Sequence, residues 1–308
     1  MKKQKPLPFT ISAACVTALC AGSFAMASFT MNGRRQTLAQ AYAWQKEHYD
    51  TSWYEVLDRN DYTVTSYDGY TLHVQLCRCS FPSDKYVILS HGYTDNRFGN
   101  LKYMRMYLEA GFNCIIYDLR GHGENEKTWC SYSIRESQDL YALIKDTRQR
   151  YSRENVLPTI GLHGESLGAA TSAAVLQYDQ GLSFVVADCG FSKITNVLKA
   201  GLKQMHLPGF LVYFASAAAR MKYGYFYSQM RPVEALKKNR VPILFLHGAE
   251  DAFITPQNSL DMQKMTKGYS ALHLIPGAGH AESVLVHPEM YETYLLDFLF
   301  DTDNVDAS

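Results

Sequence analysis

Residues 157–178 read LPTIGLHGESLGAATSAAVLQY. The first seven form a short, mostly apolar run of strand length. From Leu167 onward, small and apolar residues continue for the length of a helix. Between the two stands Gly164-Glu165-Ser166-Leu167-Gly168, which fits G-x-S-x-G. Composition alone gives such a pentapeptide in roughly one chain of this size in eleven, so the letters are only suggestive. Their setting is more specific. A strand before and a helix after make the segment a nucleophile elbow, a tight turn that lifts a serine hydroxyl above the end of a strand. The bland alternative is an ordinary helix-capping serine.

Working outward, apolar runs of strand length alternate with helical ones. YVILS (86–90), FNCIIYD (112–118), LSFVVAD (182–188), VPILFLH (241–247) and SALHLIP (270–276) are strands. Helices fall near 100–110, 132–150, 167–178, 256–266 and 288–300. Ahead of them, YTVTSY and YTLHVQLCRC flank Asp68-Gly69 as a hairpin. Continuous rather than alternating apolar strands are buried on both faces, which predicts an α/β fold: a mostly parallel sheet with helices on both sides. Three strands end in His-Gly, at His91-Gly92, His163-Gly164 and His247-Gly248. In parallel sheets the site forms beyond the carboxyl ends of the strands. These histidines are read as turn packing rather than chemistry.

A serine hydroxyl needs a base, and the base needs an orienting carboxylate. After an elbow the expected chain order is serine, acid, histidine. Asp251, directly after VPILFLH, is the expected acid, with Glu250 as the alternative. His280, in Gly277-Ala278-Gly279-His280 after the last strand, is the expected base, with His287 as competitor. Two backbone N–H groups should hold the oxyanion. Leu167, at the positive end of its helix, supplies one. Tyr93, in the loop after YVILS, supplies the other, with Thr94 as alternative.

Taken together and in order, LSHGYTDNRFGN, YDLRGHGENE, GLHGESLGAA, LFLHGAEDAFITP and PGAGHAES resemble the α/β-hydrolase family over roughly residues 61–303. The nearest branch comprises membrane-anchored or exported bacterial Bem46-like and serine-aminopeptidase-like hydrolases. The resemblance implies a catalytic triad of Ser166, Asp251 and His280, and a helical cap near 190–240. The turn Asp118–Gly123 matches a structural turn of the family, with Glu124 where Ser is common.

Composition bounds the rest. The chain has 308 residues, 47% hydrophobic and 19% charged, and 30 basic residues balance 30 acidic ones. A sizeable core is implied, and nothing points to nucleic acid. Lys2, Lys3 and Lys5 precede an uncharged stretch from Pro6 to Asn32, followed by Arg34 and Arg35. This reads as an N-terminal signal-anchor over 1–33, with the remainder outside the cytoplasm. Ala25-Met26-Ala27 offers a signal-peptide cut before Ser28, giving a secreted chain instead. A packed N-terminal helix is the third reading. Residues 34–60 are expected as one helical connector, 61–303 as the hydrolase domain and 304–308 as a tail.

Cys77, Cys79, Cys114, Cys130 and Cys189 read as buried small hydrophobes. The cap is rich in apolar and aromatic residues, which either pack it onto the sheet or line an acyl pocket. No cluster of acids or bases marks it. No cofactor and no metal are implied, since no Walker A, G-x-G-x-x-G, HExxH or Cys-x-x-Cys pattern occurs. The expected function is serine carboxylic-ester hydrolysis of a small-molecule acyl substrate. A serine peptidase of the aminopeptidase or acyl-peptide hydrolase type is the runner-up, and a non-catalytic binding protein is the third class.

Overall fold

Eight strands form one sheet in the order β1-β2-β4-β3-β5-β6-β7-β8 in the computed structural model, which describes residues 9–306 apart from 155 and 180. Of residues 9–15 and 303–306 only the backbone is described. The strands are β1 Arg59–Thr65, β2 Thr71–Cys77, β3 Lys85–Ser90, β4 Asn113–Tyr117, β5 Thr159–Glu165, β6 Phe184–Asp188, β7 Ile243–Gly248 and β8 Ser270–Ile275. The β1–β2 and β2–β4 pairings are antiparallel, and the remaining five are parallel.

The central strands are buried on both faces because their apolar runs do not alternate with polar residues. Ile88, Ile115, Leu162, Val185 and Phe245 join one core, while Val87, Leu89, Ile116, Val186 and Leu246 join the other. The period of two sends neighbouring residues to opposite layers. Helices α4 (Leu101–Glu109), α5 (Ile134–Tyr151), α6 (Leu167–Val175), α9 (Gln257–Met265) and α11 (Pro288–Asp306) cover the sheet, and α10 (Ser283–Val286) is a single turn. Between β6 and β7 the cap contributes α7 (Ile194–Gln204) and α8 (Leu211–Tyr223).

The connector is two helices rather than one. Thr37 caps α2 (Leu38–His48) in a box with Gln40, and Tyr49 then turns extended. The Asp50 carboxylate accepts both the backbone N–H and the hydroxyl of Ser52, which starts α3 (Ser52–Glu55). A side chain that competes for backbone donors ends one helix and begins the next.

Helix α1 (Phe9–Met31) runs into the domain. Its last turns pack on α8, with Ala27 and Met31 fully buried. The Thr30 carbonyl accepts the hydroxyls of Tyr93 (2.8 Å) and Tyr132 (2.6 Å). Residues 16–25 are largely exposed. Among the described residues no helix is long and apolar enough to cross a membrane. Lys2, Lys3, Lys5 and the start of the uncharged stretch, on which the anchor reading also rests, lie outside the described residues. Cys77, Cys79, Cys114, Cys130 and Cys189 are buried free thiols.

Candidate active site

The elbow forms where β5 ends against its neighbours. Ser166 has φ 53° and ψ −108°, a conformation rarely adopted by residues with a side chain. Its N–H donates to the Asp188 carbonyl (2.8 Å), and its own carbonyl accepts the Ala170 N–H of the first turn of α6. These bonds fix a serine that would otherwise relax. Gly168 lets α6 start this close to the sheet, because a Cβ there would lie 1.9 Å from the Ser90 carbonyl oxygen.

Asp251 and His280 arrive from the loops after β7 and β8. A Cβ on Gly248 would lie 2.3 Å from the Gly279 carbonyl oxygen, so glycine lets the two loops touch. His280 Nε2 is 3.0 Å from Ser166 Oγ, and His280 Nδ1 is 2.7 Å from Asp251 Oδ2. Asp251 is buried and Glu250 is exposed, so the structure brings Asp251 rather than Glu250 to the imidazole. His287 ends α10, and its carbonyl accepts the Tyr291 N–H in α11.

The Asp251 carboxylate is held ionised. Burial works against the charge, but hydrogen bonds from His247 and His280 and from the Ile254 backbone outweigh it and hold the pKa well below the usual carboxylate range. His247 therefore does more than pack a turn. Its ring is fully buried between Ser259 Oγ and the Ile254 carbonyl, with Nε2 3.2 Å from Asp251 Oδ2. Among the described residues His163 bonds only the hydroxyls of Tyr107 and Tyr291, and His91 bonds the backbone of Gly92 and Leu119.

The loop after β3 passes over the serine. A Cβ on Gly92 would lie 3.8 Å from Ser166 Cβ. Among the described residues the N–H groups of Tyr93, the next residue, and of Leu167 have no acceptor. Thr94 lies one residue farther on and is exposed.

Beneath the elbow lies a polar cluster that sequence reasoning missed. Glu165, the residue before the serine, pairs with Lys102 and accepts the Tyr103 hydroxyl (2.6 Å). Lys102 also reaches the carbonyl of Ala281 (3.4 Å), next to His280. One ammonium thus ties the turn at Ser166 to the loop that carries His280. Burial disfavours that ammonium, yet the Glu165 carboxylate outweighs burial and raises its pKa. The only sequence signal was a lysine inside an otherwise apolar helix face. A Lys102→Met chain should lose about 3–5 kcal/mol of stability, because the Glu165 charge is left buried and unpaired. Combining it with Glu165→Gln should restore most of that loss, as read from urea unfolding.

Asp188 adjoins the cluster: it accepts the Tyr291 hydroxyl (3.1 Å) and lies 3.1 Å from the Tyr103 hydroxyl, whose proton goes to Glu165. Burial, and then the Glu165 charge, push its pKa up to about 6. The folded state therefore holds this proton more tightly than the unfolded chain does. Its contribution is fully present below the unfolded value and is lost as pH rises through about 6. Unfolding stability should fall by on the order of 2 kcal/mol between roughly pH 4 and 7 from this group, and Asp188→Asn should flatten that part of the profile. An unchanged profile in the variant would remove Asp188 as the cause.

An eight-stranded, mostly parallel sheet with a serine elbow after its fifth strand defines the α/β-hydrolase architecture. Sequence comparison agrees: the Alpha/beta hydrolase family matches residues 87–292, and the chain belongs to that family. The uncharacterised protein YqkD of Bacillus subtilis is 28% identical over 262 residues, 83% of each chain. Among solved structures, the Pyrococcus furiosus esterase Pf2001 shares the fold at 22% identity and a TM-score of 0.64, over 82% of this chain and 95% of its own. Pyrococcus horikoshii acylaminoacyl peptidase shares it at 14% identity and a TM-score of 0.59, over 79% of this chain and 41% of that one.

Proposed function

We propose that the chain is a serine hydrolase that cleaves carboxylic esters through an acyl-enzyme on Ser166. The observation that carries this reading is the hydrogen-bonded line from Ser166 Oγ to His280 to Asp251. His280 Nε2 takes the Ser166 proton as Oγ bonds to the acyl carbon. Asp251 holds Nδ1–H and stabilises the imidazolium. The N–H groups of Tyr93 and Leu167 receive the oxyanion. Collapse breaks the ester bond, and the alcohol leaves with the proton from His280. Water then repeats the sequence on the acyl-enzyme and releases the carboxylic acid. No step calls for a metal or cofactor.

An aminopeptidase would need an anion to hold the substrate's amine. The one acidic residue of the cap, Glu234, is taken up by Arg231 and Lys237, which favours the ester reading. Fluorophosphonate labelling should modify the wild-type chain at Ser166 and leave Ser166→Ala unlabelled. A panel of acyl p-nitrophenyl esters and aminoacyl anilides should show turnover of the esters. Faster anilide cleavage would overturn the ester assignment, and no labelling would favour a non-catalytic binding protein.

We also propose that the N-terminal segment anchors the chain in a membrane, with the hydrolase domain outside the cytoplasm. Three lysines ahead of an uncharged stretch support that orientation. Retention is favoured over cleavage before Ser28, because such a cut would remove Ala27 from its packing. Full-length tagged protein in the membrane fraction, with its C-terminal tag open to external protease, is the expected result. A chain starting at Ser28 in the medium would establish release instead.

A further inference from the structure

We infer that the outward face of the cap docks on an anionic lipid bilayer and turns the mouth of the active site toward it. The substrate class is then an amphiphilic ester drawn from that bilayer, a clause that rests on the ester-hydrolase reading. The cap's apolar residues do not all pack inward. Val212, Ala215, Ala219 and Tyr223 bury one side of α8. Phe210, Tyr213, Phe214, Ala217 and Met221 recur at i, i+3, i+4, i+7 and i+11, and every one is exposed, Tyr213 at 62% and Met221 at 77%. A helix with an apolar stripe on its solvent side has an unpartnered face.

Three observations select the bilayer as occupant. The first is charge. Between Cys189 and Val233 the chain has six basic residues, Lys193, Lys199, Lys203, Arg220, Lys222 and Arg231, and no acidic one. They form no local cluster, but the whole chain sums to zero, so charge is polarised toward the cap. Basic residues around exposed aromatics are the composition of an interfacial helix on anionic lipid. The second is α1. It packs on α8, and its uncharged residues 16–25 are largely exposed, including Val16 and Phe24. The exposed part of α1 and the stripe thus belong to one helix pair. The third is the site. Gln204, at the end of α7, donates to the Ala252 carbonyl (2.8 Å). The next residue, Phe253, is half exposed, and its ring meets that of His280 edge-on at 5.1 Å. The exposed cap tip, with Met205 and Leu207, thus adjoins the residue that covers the proposed base.

The test uses the full chain with Cys15→Ser, Cys20→Ser and Met221→Cys, carrying an environment-sensitive fluorophore at position 221. Vesicles are phosphatidylcholine with or without phosphatidylglycerol. With phosphatidylglycerol, the emission should shift to the blue and be quenched by lipids spin-labelled near the headgroup. Lys199→Gln with Lys203→Gln should weaken this response on the order of tenfold and leave hydrolysis of a water-soluble short-chain ester unchanged. A fluorophore that stays in water while the protein sediments with the vesicles would mean that α1 alone holds the chain, and would overturn the proposal. Equal shifts on neutral vesicles would overturn the anionic requirement. A shift without lipid that grows with protein concentration would assign the face to a second copy. Loss of soluble-ester hydrolysis in the parent chain would count against the ester reading alone, because the fluorescence does not depend on it.

Discussion

A Ser166→Ala chain should lose on the order of 10³–10⁶ in kcat while keeping its fold. The change removes one hydroxyl from a residue that is 7% exposed, so little packing is lost. Its backbone hydrogen bonds to Asp188 and Ala170 do not involve the side chain and persist. Steady-state hydrolysis of a p-nitrophenyl ester, beside thermal unfolding of the same preparation, separates activity from stability. A companion substitution reads the strain directly. Ser166→Gly should be equally inactive but should melt no lower than Ser166→Ala, because φ 53° with ψ −108° costs glycine little. A glycine variant that melts well below the alanine one would mean that the turn is unstrained. Retained activity in both would move the nucleophile elsewhere.

His280→Ala should cost a comparable factor in kcat, again on the order of 10³ or more, because in the proposed mechanism Ser166 then has no base and the leaving alcohol no acid. His287→Ala should stay close to wild type, since His287 serves the junction of α10 and α11 through its backbone. The pair of variants is informative because both histidines sit in the same stretch after β8. Reversed effects would show that the hydrogen bond from His280 to Asp251 (2.7 Å) is not the working one.

The places where sequence reading stopped share a physical cause. The connector over 34–60 read as one helical element, but the Asp50 carboxylate captures Ser52 where α2 has ended and α3 begins. Lys102 was legible only as a charge in an apolar helix. Its partner Glu165 is 63 positions away and meets it because α4 packs beneath the end of β5. His247 was read as turn packing, and its contact with Asp251 depends on how the loop after β7 folds back. The cap's aromatic residues could not be sorted into inward and outward sets until α8 had a buried side.

From the sequence alone come the strand runs, their parallel arrangement, the elbow at Ser166 and the order serine, acid, histidine. These follow from local patterns, because hydrophobic period and glycine placement act over a few residues at a time. Only the tertiary structure decides which carboxylate faces the imidazole, that Lys102 links the turn at Ser166 to the His280 loop, and that the apolar stripe of α8 is left uncovered. Those depend on contacts between segments far apart in the chain, where burial and distance rather than residue type determine what a charge or an aromatic ring does.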